Sequence, residues 1–237
     1  MKLHKDINFS IYFGDEYDSV SLDEIANKQK TSALENISQQ LKINQIALLA
    51  QNHGTQGMQI VVDDEQSYFF SPVGDYLFTQ KKLCGIGVVT GDCLPIVMYD
   101  PVAHAAGTVH AGWKGLAAGV FQIAVQEMIE KIGIQSENLI IYLGPAARPC
   151  CYEVQQDFID CFRKQSISVG DHFFIKKDDK IYFDSRVYTN VIARNLGIKH
   201  ENIYTRYNVC TICTLSFCSY RRQKDKARRQ VTMISLY

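Results

Sequence analysis

Three residues able to bind a transition metal stand in separate motifs: His53 in Gln-Asn-His-Gly, Cys93 in Thr-Gly-Asp-Cys-Leu-Pro and His110 in Val-His-Ala-Gly-Trp. Each lies where an apolar segment gives way to small residues, so each can face an open space. Imidazole nitrogen and thiolate sulfur are donors that zinc accepts, and three protein ligands leave a fourth position open, as in catalytic zinc sites. The pattern therefore predicts a catalytic metal centre made of His53, Cys93 and His110.

Cys93 allows two further interpretations from its local sequence. A thiolate near a histidine can act as a nucleophile, with His110 or His53 as the base. A free cysteine is also often a small buried hydrophobic residue. Asp92 precedes Cys93 and is a candidate acid or base, although neighbouring side chains on an extended segment face opposite sides.

Several cationic and polar residues are candidates for binding substrate or phosphate. Lys114 follows His110-Ala-Gly-Trp at a strand-to-helix junction, and the start of a helix favours anions. Arg221 and Arg222 lie in the one basic run, and arginine suits phosphate or carboxylate. Asn52 lies in the polar loop that carries His53.

The other cysteines favour structural roles. Cys210-Thr-Ile-Cys213 is a C-x-x-C motif, but the residues after it do not open a helix, so a thioredoxin-like role is not predicted. No second C-x-x-C is present, which argues against a four-cysteine zinc knuckle. Cys150 and Cys151 are adjacent, so we expect their side chains to diverge and the segment to form a rigid pocket wall.

The overall composition gives little reason to expect a macromolecular partner. The 237 residues include 46% hydrophobic and 21% charged residues, and 25 basic residues balance 25 acidic ones. Neither a nucleic-acid surface nor membrane association is expected from this balance. The N-terminus lacks the apolar stretch of a signal peptide, so a cytoplasmic location is expected. The oligomeric state is left open.

Hydrophobic periodicity predicts one α/β (or α+β) domain over residues 1–237, with mixed β-sheets flanked by helices. Strands are predicted over 6–13, 46–50, 59–62, 85–89, 94–99, 105–109, 139–143, 181–183, 203–207 and 231–236. Helices are predicted over 21–42, 113–132, 154–163 and 187–195. Ser21 and Asp184 are expected to cap two of these helices, Gly133 to end another, and Asp63-Asp64-Glu65 to form a turn. Because the strands of Cys93 and His110 are consecutive, we expect them to be adjacent.

The motifs also resemble those of a known family. The matching segments run through nearly the whole chain: Gln51–Gly54, Val89–Pro95, Val109–Gly119, Leu143–Ala146, Pro149–Val154, Cys210-Thr211 and Ser219–Arg222. They resemble bacterial multicopper polyphenol oxidoreductase laccases, also called laccase-domain or peptidoglycan-editing proteins, and now regarded as purine nucleoside phosphorylases.

The resemblance implies a fold of mixed sheets related to cysteine-hydrolase-like proteins, with zinc bound by two histidines and one cysteine. These fall on His53, Cys93 and His110. It also implies phosphorolysis of adenosine, inosine and methylthioadenosine with phosphate as co-substrate, and a side activity of adenosine deamination. Copper binding and polyphenol oxidation are associated with the same family.

The chain departs from the family pattern at three places. Lys114 replaces an arginine, Arg148 replaces a glycine, and Lys226-Ala-Arg-Arg229 replaces a Thr-Gly-Arg segment. Lysine keeps the charge but loses the two-pronged recognition of an arginine. The anion site is therefore less securely predicted than the metal site.

Three enzyme classes and one binding role remain open from the sequence. The first is a zinc-dependent purine nucleoside phosphorylase with adenosine deaminase activity. The second is a cysteine hydrolase or amidase that uses Cys93, for instance in peptidoglycan-precursor editing. The third is a copper-dependent polyphenol oxidase, and the fourth is a non-enzymatic binding protein.

Overall fold

Two mixed β-sheets packed face to face form the centre of the protein. The computed structural model describes residues 2–27, 29, 31–61, 68–164 and 170–237. The first sheet has the order β1-β2-β16-β8-β4-β6, with the short β3 paired to β16. Its strands are β1 (Lys2–Lys5), β2 (Phe9–Phe13), β3 (Ser19–Val20), β4 (Gln45–Ala50), β6 (Tyr68–Val73), β8 (Cys84–Thr90) and β16 (Arg229–Leu236).

The second sheet has the order β15-β11-β9-β10-β7-β5. Its strands are β5 (Gly57–Ile60), β7 (Tyr76–Thr79), β9 (Leu94–Asp100), β10 (Ala105–Ala111), β11 (Ile140–Leu143) and β15 (Ile203–Tyr204). A small third sheet joins β12 (Glu153–Val154), β14 (Lys180–Phe183) and β13 (Phe174–Lys177) in that order. Parallel and antiparallel pairs occur in both large sheets, which confirms the predicted mixed α/β architecture.

Seven helices accompany the sheets in the described part of the chain. They are α1 (Leu22–Ala26), α2 (Ser32–Leu41), α3 (Trp113–Ala118), α4 (Val120–Ile132), α5 (Gln156–Arg163), α6 (Ser185–Asn195) and α7 (Tyr220–Gln223). Short 3₁₀ turns lie at Ser136–Asn138, His200–Asn202 and Lys224–Lys226. Among the described helices, none has both the length and the apolar character that crossing a membrane requires.

Three apolar clusters hold these layers together. The middle cluster fills the space between the sheets, where Phe9 and Ile234 of the first sheet meet Val97 of the second. A second cluster packs α1 and α2 on the first sheet, for example through Leu34. A third packs α3 to α6 on the second sheet, for example through Phe121. The result is a four-layer arrangement of helix, sheet, sheet and helix.

Two predicted helices are interrupted in the structure. The helix predicted over 21–42 is wrong in its middle, since α1 ends at Ala26 and Thr31 caps the start of α2. The helix predicted over 113–132 is divided at Gly119, whose φ of 86° is left-handed and ends α3. The apolar residues keep a helical spacing across both breaks, because the helices on the two sides of each break pack against the same sheet.

Most of the strands that the sequence did not predict are short. β1, β3, β6, β7, β12 and β13 were not predicted, and the strand predicted over 203–207 ends at Tyr204. The helix predicted over 154–163 begins only at Gln156, because Val154 belongs to β12. The structure places a strand over Gly57–Ile60, whereas Val62 and the predicted turn at Asp63-Asp64-Glu65 lie outside the described residues. The caps predicted at Ser21 and Asp184 and the helix end at Gly133 are confirmed.

Candidate metal centre

The three metal-binding candidates meet at one edge of the double sheet. Cys93 follows the turn by which the chain leaves β8 in the first sheet and enters β9 in the second. His110 lies in β10, whose antiparallel register pairs it with Pro95 of β9. His53 lies in the loop after β4. The expected adjacency of the strands of Cys93 and His110 is therefore confirmed.

The donor atoms of the three residues form one tight group. The possible ligand atoms of His53, Cys93 and His110 all lie within 4.8 Å of one another. The Sγ of Cys93 is 3.6 Å from the Nε2 of His53. A tetrahedral zinc ion with ordinary bond lengths separates a thiolate and an imidazole nitrogen by about 3.5 Å. The donor set and its spacing therefore fit zinc.

Asp75 orients this group, and sequence reasoning missed it. Its buried carboxylate accepts a hydrogen bond from the Nδ1 of His110 at 2.7 Å. The same carboxylate accepts from the backbone amides of His53 at 3.0 Å and Gly54 at 2.7 Å. One side chain thus turns the Nε2 of His110 toward the site and holds the His53 loop. Asp75 lies between β6 and β7, neither of which was predicted.

Close packing around His53 explains two nearby glycines. A Cβ on Gly112 would lie 2.4 Å from the Cδ2 of His53, and a Cβ on Gly115 would lie 2.9 Å from the carbonyl oxygen of Gly54. The side chain of Gln51 adds two 2.7 Å hydrogen bonds to the backbone of Val89. The loop of His53 is therefore pressed between β8 and the start of α3.

The charges at the site stabilise one another. Burial disfavours the thiolate of Cys93, but the charge and hydrogen bond of His110, together with His53, outweigh it and lower the pKa of Cys93. Burial also opposes protonation of His110, yet Cys93 and Asp75 raise the pKa of this histidine. Each of the two groups therefore favours the charged form of the other. Burial likewise opposes ionisation of Asp75, but His110 and the two loop amides lower its pKa.

Asp92 holds the loops around the site. Its φ of 85° places it in the left-handed region, at the turn before Cys93. Its two carboxylate oxygens accept hydrogen bonds from the Thr211 hydroxyl at 2.7 Å and the Arg221 amide at 2.6 Å. Its carbonyl oxygen accepts from the Ala147 amide at 2.8 Å. These contacts anchor three distant segments beside the candidate metal ligands.

A cavity of about 510 Å³ opens directly above the three ligands. Its lining includes Asn52, Asp92, Lys114 and Arg221, all of which were singled out from the sequence. It also includes residues outside the predicted metal-binding and anion-binding sets: Gln51, Trp113, Tyr152, Tyr220 and Arg229. Arg229 stacks its guanidinium over the Tyr220 ring at 5.8 Å, and Arg221 lies over Tyr152 at 5.2 Å. The site thus combines metal ligands, cations and aromatic rings.

Arg222 has a different position from its neighbour Arg221. Its guanidinium donates to the carbonyl oxygens of Thr211, Ile212 and Phe217, and it does not belong to the cavity lining. Successive residues on the short helix α7 point to different sides. The basic run seen in the sequence therefore divides into a cavity-facing and a loop-holding arginine.

Comparison with known proteins establishes the family. The family model described as multi-copper polyphenol oxidoreductase laccase matches residues 2–237. The chain belongs to this laccase family. A purine nucleoside phosphorylase of Clostridium acetobutylicum is 26% identical over 232 residues, 97% of this chain and 93% of that protein. One of Aquifex aeolicus is 31% identical over 164 residues, 69% of this chain and 72% of that protein.

Solved structures of similar proteins share the family fold. The Bacillus licheniformis hypothetical protein YfiH superposes with a TM-score of 0.81 at 23% identity, covering 97% of this chain and 91% of its own. A Neisseria meningitidis protein superposes with a TM-score of 0.79 at 24% identity, covering 99% and 98%. The resemblance found from the sequence motifs is thus confirmed at the level of family and fold.

Proposed function

We propose that the protein is a zinc-dependent purine nucleoside phosphorylase acting on adenosine, inosine and methylthioadenosine. The observation that carries the proposal is the cavity that joins the His53–Cys93–His110 set to three cations and four aromatic rings. A concave site with a few convergent polar groups is typical of small-molecule binding. Relatives over most of the chain are named purine nucleoside phosphorylases, which supports this substrate class.

His53, Cys93 and His110 would hold the metal, and Asp75 would keep His110 in the required orientation. When bound, Zn²⁺ supplies a Lewis acid that polarises an oxygen-containing ligand. Copper is the alternative that the family description suggests. The nitrogen and sulfur donors suit both metals, so metal content has to be measured with activity.

The remaining residues are proposed to bind the two substrates. Trp113, Tyr152 and Tyr220 offer rings on which a purine can stack. Lys114, Arg221 and Arg229 offer positive charge for phosphate. In phosphorolysis a phosphate oxygen bonds to C1′ of the ribose as the bond from C1′ to the purine nitrogen breaks, and the purine leaves with that electron pair. The cations would hold the phosphate on the ribose side of the stacked base.

Asp92 is proposed as a positioning residue for this reaction. Both of its carboxylate oxygens already accept hydrogen bonds, from Thr211 and Arg221. It would keep the Arg221 backbone beside the Cys93 turn, rather than exchange a proton with substrate. Adenosine deamination is proposed as a side activity of the same cavity. The oxygen of a water molecule would bond to C6 of the purine as the bond from C6 to the amino nitrogen breaks, and the amino group would leave as ammonia with a proton from that water.

The test combines metal analysis with nucleoside turnover. We expect the purified protein to release hypoxanthine from inosine only when phosphate is present, and to release ammonia from adenosine more slowly. Cys93→Ala should lose both the zinc of this site and turnover. Cys161→Ser is a matched control, because Cys161 is exposed on α5. Full turnover by zinc-free Cys93→Ala protein would refute the proposal.

A cysteine hydrolase or amidase is the second candidate, and one observation favours it. Cys93, His110 and Asp75 are linked in the order of a nucleophile, a base and an orienting carboxylate, and the pKa of Cys93 is lowered by its histidine neighbours despite burial. Stoichiometric zinc with a Cys93 protected from iodoacetamide would exclude this second function. Metal-free protein, alkylated at Cys93 and inactivated toward amide substrates, would establish it.

A further inference from the structure

Four of the eight cysteines meet in a second cluster, away from the His53–Cys93–His110 group. Cys150 and Cys151 lie in the turn after β11, and Cys210 and Cys213 lie in the segment after β15. Their sulfur atoms all lie within 4.8 Å of one another, and those of Cys150 and Cys213 are 3.9 Å apart. The expectation that adjacent Cys150 and Cys151 would point to different places is therefore wrong. The bend of the turn at 149–151 lets both side chains face the same point.

Backbone hydrogen bonds bring the two cysteine segments together. Ala146 pairs with Cys210 in an isolated parallel bridge. Its amide donates to the Val209 carbonyl at 3.1 Å, and its carbonyl accepts from the Thr211 amide at 3.1 Å. The Asn208 side chain adds a 2.6 Å bond to the Gly144 carbonyl. The chain therefore places the four sulfurs together through contacts other than the sulfurs themselves.

We propose that these four cysteines bind a second zinc ion, in a structural tetrathiolate site. Four thiolates around tetrahedral zinc, each about 2.3 Å from the metal, have sulfurs about 3.8 Å apart. The sulfurs of Cys150 and Cys213 are 3.9 Å apart, which matches this sulfur–sulfur distance. All four ligand positions are filled by protein, as in structural rather than catalytic zinc sites.

The surroundings of the cluster suit bound thiolates. The backbone amides of Ile212, Cys213 and Arg148 point at the sulfur of Cys210. Such amide bonds to sulfur are the outer contacts that orient a metal ligand. Arg148 donates to the Asn208 carbonyl, and Arg222 donates to the carbonyls of Thr211 and Ile212. Both guanidinium groups thus contact the segments that carry the cysteines. Their positive charges would offset the net negative charge of a zinc ion bound by four thiolates.

Apolar packing, an iron–sulfur cluster and a disulfide each fit the four cysteines less well than one zinc ion. Cys150 and Cys213 are exposed, so apolar packing does not account for them. In a four-iron cluster each cysteine binds a different iron, which spreads the sulfurs more widely than a single shared ion does. A disulfide would pair sulfurs at about 2.05 Å and leave the other cysteines beside it without a role. A single ion uses all four.

This second site would stiffen one wall of the nucleoside cavity. Tyr152 follows Cys151 directly and lines the cavity, and Thr211 follows Cys210 and donates to Asp92. Zinc would therefore clamp the two segments that hold Tyr152 and Asp92. Its loss is expected to loosen the substrate wall while leaving the His53–Cys93–His110 ligands in place.

Counting zinc in variants of the full-length protein tests the proposal. The parent protein, purified under reducing conditions and loaded with Zn²⁺ alone, should hold two zinc ions per chain. The double variant Cys150→Ser/Cys213→Ser should hold one, as should Cys93→Ala. Cys161→Ser should hold two. Because each site has its own variant, failure of this proposal is distinguishable from failure of the proposed enzyme activity.

Cobalt gives a second readout that does not depend on activity. Co²⁺ loaded into Cys93→Ala should show the intense visible absorption and thiolate charge-transfer bands of a tetrahedral four-sulfur site. The single variant Cys213→Ser in the same background should weaken and shift those bands, which keeps the test decisive if the double variant does not fold. Equal zinc in the double variant and the parent would overturn the proposal. So would a single zinc in the parent that Cys93→Ala loses, or a disulfide among the four found by mass spectrometry of reductively purified protein.

Discussion

Asp75 connects two of the proposed metal ligands to one another. It touches His110 through a side-chain bond and the His53 loop through two amides. His53 follows a strand of the first sheet, whereas His110 lies in a strand of the second. The hydrogen bonds of Asp75 therefore fix the position of one histidine relative to the other. A carboxylate behind a histidine ligand also fixes the ring tautomer.

Asp75→Asn should weaken zinc binding at the first site about 10- to 100-fold. An amide has one acceptor oxygen in place of two, so it cannot serve His110 and both loop amides. Competition with a chromophoric chelator measures the affinity. Asp171→Asn is the control, because Asp171 pairs with Arg163 on an exposed surface. Equal zinc affinity in both variants would refute the role of Asp75.

Arg221 and Arg222 should behave differently although they are neighbours. Arg221→Ala should lower kcat/KM for phosphorolysis about 10- to 100-fold with little change in Tm, the loss of one charge-assisted bond to phosphate. Arg222→Ala should instead destabilise the fold by about 2 kcal/mol, because three carbonyl groups lose their donor. Saturation kinetics in phosphate and thermal melting separate the two effects. The reverse pattern would contradict the assignment of both residues.

At the scale of elements, the site forms where the chain crosses from one sheet to the other. The turn from β8 to β9 carries Asp92 and Cys93, and the turn from β6 to β7 carries Asp75. Crossing turns lie at the open edge of the double sheet, where side chains can face a cavity. Function therefore resides in connections that rigid strands hold at both ends.

Helix α1 offers a pH-dependent test of an element. Ser21 and Glu24 form a capping box, and Glu24 also contacts Arg228 at 2.9 Å. Burial opposes ionisation of Glu24, but Ser21 and Arg228 outweigh it and lower the pKa of this carboxyl. Because the pKa of Glu24 is lower in the folded protein than in the unfolded chain, its ionised form stabilises the fold. This stabilisation is complete above the unfolded-state pKa and is lost as the pH falls through the folded-state pKa. Glu24→Gln should therefore cost about 1 kcal/mol near neutral pH, and the difference should shrink in acid.

Urea unfolding of Glu24→Gln and the parent at several pH values measures this difference. Glu35→Gln, on the adjacent helix α2, provides a control for a general change of charge. If the difference in unfolding free energy stays constant down to acidic pH, the charge of Glu24 does not cause it, which would contradict the prediction.

The sequence predicted long elements better than short ones. The continuous apolar runs of β8, β9 and β10 were found because both faces of each strand are buried. The strand β7 was missed because Tyr76–Thr79 is only four residues long. The break at Gly119 was missed because α3 and α4 pack apolar faces on the same sheet.

At the scale of the whole molecule, the apolar layer between the two sheets is one of the three clusters that stabilise the fold. β16 lies between β2 and β8, so the last strand of the chain completes the middle of the first sheet. Its side chain Ile234 is fully buried in that layer. Folding is therefore expected to require the chain through its final strand.

Ile234→Ala should destabilise the protein by about 2–5 kcal/mol, the usual cost of truncating a large buried side chain. Ile123→Ala is the matched control, because Ile123 is 36% exposed on the helix α4. That change should fall within about 0.5 kcal/mol of the parent. Chemical unfolding measures both, and similar losses in the two variants would contradict the view that burial of Ile234 between the sheets stabilises the fold.

What could be learned without the tertiary structure follows from local chemistry. Apolar periodicity indicates a buried strand, a capping residue marks a helix start, and a motif such as Thr-Gly-Asp-Cys carries its donor atom with it. These signals sufficed for the mixed α/β class, the family, and the candidates His53, Cys93 and His110. Each depends on residues within a few positions of one another.

Convergence of distant segments required the fold itself. Asp75 has no local mark of its role, since only the packing of two sheets places it behind His110. Cys150 and Cys151 meet Cys210 and Cys213 from a distant part of the chain, because the Ala146–Cys210 bridge aligns their segments. Arg221 and Arg222 are adjacent residues of the same type, and only the helix α7 directs their side chains to different places. Long-range pairing depends on the summed packing of the layers, which no local pattern records.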